Sequence, residues 1–104
     1  MSEPAWKVFE RRIASRFNGI RRGAGTSQNG NGKTDVISPG WAIECKLLSR
    51  PSFQQMLDAA RQAEKNVESI DDIPIAIVKR KGDNDDNAVV VIRLEVFQQW
   101  FVGA

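Results

Sequence analysis

Pro39-Gly40 separates two short alternating runs, Asp35-Val36-Ile37-Ser38 and Trp41-Ala42-Ile43-Glu44-Cys45-Lys46, and a chain written this way is constrained to a tight β-hairpin. Proline pre-sets φ at the first central turn position, and glycine tolerates positive φ at the second. With Ser38 and Trp41 flanking the turn, Ile37 should face Ala42, Val36 should face Ile43, and Asp35 should lie opposite Glu44. Alternation at a rise of about 3.4 Å per residue sets Lys46 on the Glu44 face, about 7 Å along. The other face, Val36, Trp41, Ile43 and Cys45, is apolar and suits a core. Like charges directly opposite one another destabilise a sheet. Two crowded carboxylates and an ammonium therefore point to chemistry, and a bound divalent cation is the best explanation.

The residues that are missing narrow that chemistry. The chain has no His and no Tyr, which excludes Ser-His-Asp and Cys-His mechanisms, histidine metal ligation and tyrosine-linked strand transfer. Its one cysteine, Cys45, can form neither an internal disulfide nor a zinc cage. With no activating His and a place on the apolar face, Cys45 reads as core and not as a nucleophile. Asp, Glu and Lys remain, and hard oxygen ligands favour Mg²⁺ or Mn²⁺. At 104 residues the chain is expected to be one domain spanning 1–104. It has no apolar run near 18 residues and no basic-then-apolar leader, so a soluble, cytoplasmic protein with no membrane partner is expected.

The net charge of +2 hides an asymmetry. Residues 1–34 hold seven basic side chains (Lys7, Arg11, Arg12, Arg16, Arg21, Arg22 and Lys33) against Glu3 and Glu10, a balance of +5 that leaves −3 for the remainder. A basic third beside an acidic site suits a polyanionic substrate, although a solvated basic helix face gives the same pattern.

Ser2-Glu3-Pro4 reads as a helix start, with Ser2 as cap, and Asn18-Gly19 as its end near Phe17. Trp6, Phe9, Ile13 and Phe17 form its apolar stripe at helical spacing, and Glu10 is anomalous at the edge of that stripe. Residues 23–33 are a small-residue loop without a phosphate-loop pattern. The loop reads as a flexible connection or as a segment whose amides approach a nucleic-acid backbone, and no organic cofactor is expected. Ser52 can cap a second helix to about Val67, with Phe53, Met56, Leu57, Ala60 and Ala63 inward. Residues 74–79 and 88–94 are β-rich runs joined by the polar segment 81–87, which reads as a solvated hairpin turn. A last helix covers about Glu95 to Phe101. The expected class is α/β of the α+β kind, a central mixed sheet of about five strands flanked by helices in the order α-β-β-β-α-β-β-α.

Asp35, eight residues, then Glu44-x-Lys46 across a hairpin, with a Glu-bearing helix before and a helix after, resembles the PD-(D/E)XK nuclease superfamily. The short length and the Glu10-Arg11 pair are similar to archaeal-type and phage Holliday junction resolvases. The resemblance implies a restriction-endonuclease-like core and a Mg²⁺ (or Mn²⁺) site built from Asp35, Glu44, the Cys45 carbonyl and Glu10. It makes Glu10, Asp35, Glu44 and Lys46 the catalytic set, with Lys46 orienting the attacking water or stabilising the transition state. Arg11, Arg12, Arg21, Arg22, Lys33 and Ser27 become DNA contacts, and Gln62 on the second helix is a polar site candidate or a surface residue. Thr34 stands where the superfamily pattern commonly has proline. The implied partners are branched double-stranded DNA and a second copy of the chain, with Val96, Phe97, Trp100, Phe101 and Val102 offered as the two-fold contact.

Three functions compete on this reading. They are a junction-resolving endonuclease, another nuclease of the same superfamily (restriction-type, nicking or flap-specific), and a DNA-binding module with an incidental acidic cluster. The first two predict metal-dependent cleavage; the third predicts salt-sensitive binding alone.

Overall fold

The protein, seen here as a computed structural model, is described over residues 3–21 and 35–103. Its centre is a five-stranded mixed sheet in the spatial order β1-β2-β3-β4-β5, comprising β1 (Ile20–Arg21), β2 (Val36–Ser38), β3 (Trp41–Leu48), β4 (Ile73–Arg80) and β5 (Val89–Val91). Helix α1 (Ala5–Arg16) precedes β1, α2 (Phe53–Lys65) joins β3 to β4, and α3 (Leu94–Phe97) follows β5. The class and the order of elements are those expected from sequence. Only β3 and β4 run parallel, because the α2 crossover returns the chain to the same end of the sheet.

The hairpin has the expected register, Val36 with Ile43, Ile37 with Ala42 and Ser38 with Trp41, around a turn in which Gly40 has φ of +83°. Alternation then sends Val36, Trp41, Ile43 and Cys45 towards α1, where they pack with Phe9, Ile13, Ala14, Ile75 and Ile77. Phe17 meets Trp41 edge to face at 5.7 Å, an arrangement aromatic pairs favour. The opposite face is closed by α2, whose Ala59 packs on Ala76 and Val78. Small side chains let this helix lie close to the sheet, and so Glu44, on the same face as Ala42, becomes buried.

Helix α1 ends in a Schellman arrangement. Gly19 N donates to Ala14 O at 2.8 Å and Asn18 N to Ser15 O at 3.2 Å, with Asn18 at φ of +54°. Glycine is required at 19 because a Cβ there would lie 2.3 Å from Ile37 O. The Ser38 hydroxyl donates to Phe17 O at 2.6 Å, tying the helix end to β2. Helix α2 begins with the reciprocal Ser52–Gln55 capping box.

Several expectations are corrected. The cap position of α1 is held by Pro4, without a side-chain bond, and the expected cap Ser2 lies outside the described residues. Trp6 is not core but 49% exposed, since in the first turn of α1 its ring meets Lys7 and Arg21 and not the apolar cluster. Phe53, also in a first turn, is 76% exposed, and Ala59 takes the inward place. Strand β5 stops at Val91 and α2 at Lys65. Beyond α3 the chain continues in a π-helical turn over Gln98–Val102, and Val96 is the only buried residue of the segment 94–102.

The acidic segment 81–87 is not a simple solvated turn. Asp85 accepts from Lys79 Nζ at 2.7 Å and from two guanidinium N–H groups of Arg12, while Arg16 donates to Asp86 at 2.7 Å. Lys79 is only 6% exposed and lies 5.1 Å from the Phe9 ring centre. A buried ammonium needs a partner, and Asp85 supplies it, so the turn locks α1 to β4. Among the described residues no helix is long and apolar enough to cross a membrane.

Candidate active site

Trp6, Glu10, Asp35, Glu44, Lys46 and Gln62 line one cleft of about 430 Å³, which also reaches Cys45. They arrive from several elements. Glu10 is carried by α1, Glu44 and Lys46 by alternate positions of β3, Gln62 by α2, and Asp35 by the residue before β2. A larger hollow of about 590 Å³ lies among Leu94, Glu95, Gln98, Gln99 and Gly103, where Glu95 is the only titratable side chain among the described residues.

Asp35 departs from the flat ladder expected of it. Pairing stops at Val36, Asp35 N donates to Ile43 O at 2.9 Å, and Asp35 Oδ2 accepts from Cys45 N at 2.9 Å. A carboxylate thereby replaces a backbone acceptor at the end of β2. Because a paired strand residue sends its N–H and C=O to the same edge, the Cys45 carbonyl faces Asp35 as well.

Glu44 is 2% exposed, and its Oε2 is buried with no hydrogen-bond partner among the described residues. Burial pushes its carboxyl well above the usual range and the neighbouring Asp35 pushes it further, against the opposing pull of Lys46 and of the Asn66 amide. Lys46 Nζ lies 3.9 Å from Glu44 Oε1. Glu10 is also raised, first by burial and then by Asp35, although Arg21 Nε donates to its Oε1 at 2.8 Å. Cys45 is buried and its thiol is pushed upward by burial and by the surrounding carboxylates, which suits a packed residue and not a nucleophile.

Asp35 raises both Glu10 and Glu44, and with one buried Glu44 oxygen left unpartnered among the described residues this donor set suits a hard divalent cation. Mg²⁺ takes one or two carboxylates and keeps several waters, which fits Asp35 and Glu44 with the Cys45 carbonyl, and Glu10 nearby. Among the described residues no group of three or more Cys, Asp or Glu side chains is gathered as a ready-made cage.

The expected DNA contacts divide differently. Arg11 pairs with Glu3, Arg12 with Asp85, and Arg21 with Glu10; Arg22, Lys33 and Ser27 lie outside the described residues. Gln62, which sequence left between site and surface, lines the cleft while staying exposed. Asn66 was not foreseen at all. It is the buried C-cap of α2, and its signal was available, since 59, 63 and 66 continue one inward stripe at helical spacing.

No protein-family model, curated protein or solved structure matches the chain.

Proposed function

We propose that the chain is a metal-dependent endodeoxyribonuclease that hydrolyses phosphodiester bonds in branched DNA, with four-way junctions as its substrate class. One observation carries this reading: the buried, unpartnered Oε2 of Glu44 beside Asp35, in a cleft that also holds Lys46 and Glu10. Such a group is costly in a folded chain unless it has a task.

Asp35 and Glu44 would hold Mg²⁺ or Mn²⁺, with the Cys45 carbonyl and Glu10 completing the donor set. The bound ion would lower the pKa of a water and offset charge on the scissile phosphate. Lys46, half-buried and close to Glu44, can donate to a phosphate oxygen or orient the attacking water. Arg21 holds Glu10 in place and adds positive charge at the rim. Two copies would be needed to cut a four-way junction symmetrically, since each chain carries one site. A cytoplasmic setting, in a cell or during phage infection, belongs to the same proposal.

The test is incubation of purified protein and Mg²⁺ with four-way junction, flap, duplex and single-stranded DNA. Paired symmetrical nicks confined to the junction are expected. Equal cutting of linear duplex would replace the junction by a restriction-type substrate, and salt-sensitive binding without cleavage would reduce the protein to a binding module. Full cleavage by both Glu44→Ala and Lys46→Ala would overturn the site.

A further inference from the structure

We propose that Trp6 forms a stacking subsite for an unpaired nucleobase next to the phosphate that is cut. This rests on the nuclease reading and specifies what its substrate must present. Trp6 is 49% exposed, whereas Phe9 and Glu10, one turn further along α1, are buried. Its indole lines the same cleft as Glu10, Asp35, Glu44 and Lys46. Two cations lie against the ring, Lys7 Nζ at 5.5 Å and the Arg21 guanidinium carbon at 5.6 Å from its centre.

These features fit one ligand chemistry. The acidic floor of the cleft repels anions, while the cations around the indole attract them, so a phosphodiester backbone is drawn to the rim. An uncharged, flat, polarisable group attached to that backbone is then presented to the indole. A nucleobase has that character, and every base offers a π-face to an aromatic side chain. A base inside a duplex is stacked on both sides and cannot reach a single indole, so the occupant is a base splayed out of its stack. Arg21 is fixed by its bond to Glu10 at 2.8 Å, so the subsite and the catalytic cleft share one strut. Lys7 is on a flexible stem and can leave the ring for a phosphate when the base arrives.

The experiment is equilibrium binding in EDTA, where no cleavage occurs, to a fully paired duplex and to the same duplex carrying one unpaired 2-aminopurine. Trp6→Ala and Trp6→Leu are each expected to weaken binding of the unpaired substrate by about 5- to 100-fold, to leave the paired duplex within about twofold, and to abolish the quenching of 2-aminopurine. Trp6→Phe should retain most of the effect. Thermal melting of each variant checks folding, and the half-exposed site makes native-like folding the expectation. Equal loss on both substrates, or no loss on either, overturns the proposal. Because no arm needs turnover, a wild-type protein that discriminates through Trp6 but never cuts would refute the nuclease reading alone. One that cuts while its Trp6→Ala variant discriminates normally would refute the subsite alone.

Discussion

The Asp35 carboxylate and the Cys45 backbone N–H lie 2.9 Å apart, so a residue proposed to bind metal also closes the end of the β2–β3 ladder. Asparagine can keep that hydrogen bond while removing the charge. Asp35→Asn should therefore fold with nearly unchanged Tm and lose metal-dependent cleavage by on the order of 10²–10³-fold or more. Asp35→Ala should lose activity and also about 1.5–3 kcal/mol of stability. Urea denaturation beside a junction-cleavage assay separates the two roles, and an active Asp35→Asn would remove Asp35 from the catalytic set.

Glu44 predicts a conflict between stability and activity. Burial and Asp35 raise its carboxyl above the ordinary 4.5, so its contribution to stability is fully present below 4.5. It is lost as pH rises through the raised folded value, because the unfolded chain ionises first. Without metal, the wild type should lose Tm progressively from weakly acidic towards alkaline pH. Glu44→Gln should flatten that slope and gain about 1–3 kcal/mol at the alkaline end, while cleavage is abolished. Added Mg²⁺ should restore the wild type and not the variant. A Glu44→Gln protein less stable than wild type at every pH would show that the buried oxygen is not the liability described.

Asp85 acts with the opposite sign. Its bonds to Arg12 and Lys79 hold its carboxyl down to about 2, against an ordinary 3.8. That stabilisation is present above 3.8 and lost as pH falls through about 2. Asp85→Ala leaves the buried Lys79 ammonium unpaired and should cost about 2–4 kcal/mol. The double change Lys79→Met with Asp85→Ala should recover most of the loss in a denaturation cycle. Full additivity of the two single changes would mean that the pair is not coupled.

The hairpin was legible because its turn chemistry and period-2 pattern are local, and the same holds for the Asn18-Gly19 stop and the Ser52 cap. What depended on neighbours far along the chain was not. Trp6 and Phe53 carry the apolar character of core residues, yet each falls in the first turn of its helix and joins neither core cluster. Asp85 read as solvated because the two cations that claim it, Arg12 and Lys79, come from a distant helix and from a strand that is apolar up to Lys79. Glu44 read as a site carboxylate on the hairpin face opposite the apolar one; its burial followed only from the packing of α2 on that face. The proposed site residues could be nominated from the hairpin pattern and the resemblance it carries, but the detail that makes them chemically specific, one unpartnered oxygen, is a tertiary fact.

If the chain pairs with a second copy as proposed, the segment from β5 to Val102 is where that copy would dock. Val89 and Val90 are exposed on an edge strand that carries no charge, and Leu94, Phe97, Trp100, Phe101 and Val102 are exposed beside it. Uncharged edges and apolar patches of this kind are normally covered. An antiparallel pairing of β5 with its copy about a two-fold axis would cover both at once, and a stable interface needs about 800 Å² from each partner. Sedimentation across a concentration series should show a dimer for the wild type and a monomer for the Trp100→Asp, Phe101→Asp double variant, with the thermal transition otherwise retained. On a four-way junction the monomer should leave single nicks in place of paired ones, because each chain still has a complete cleft. A wild type that stays monomeric both alone and on junction DNA would rule out symmetrical resolution and leave a nicking enzyme with the same chemistry.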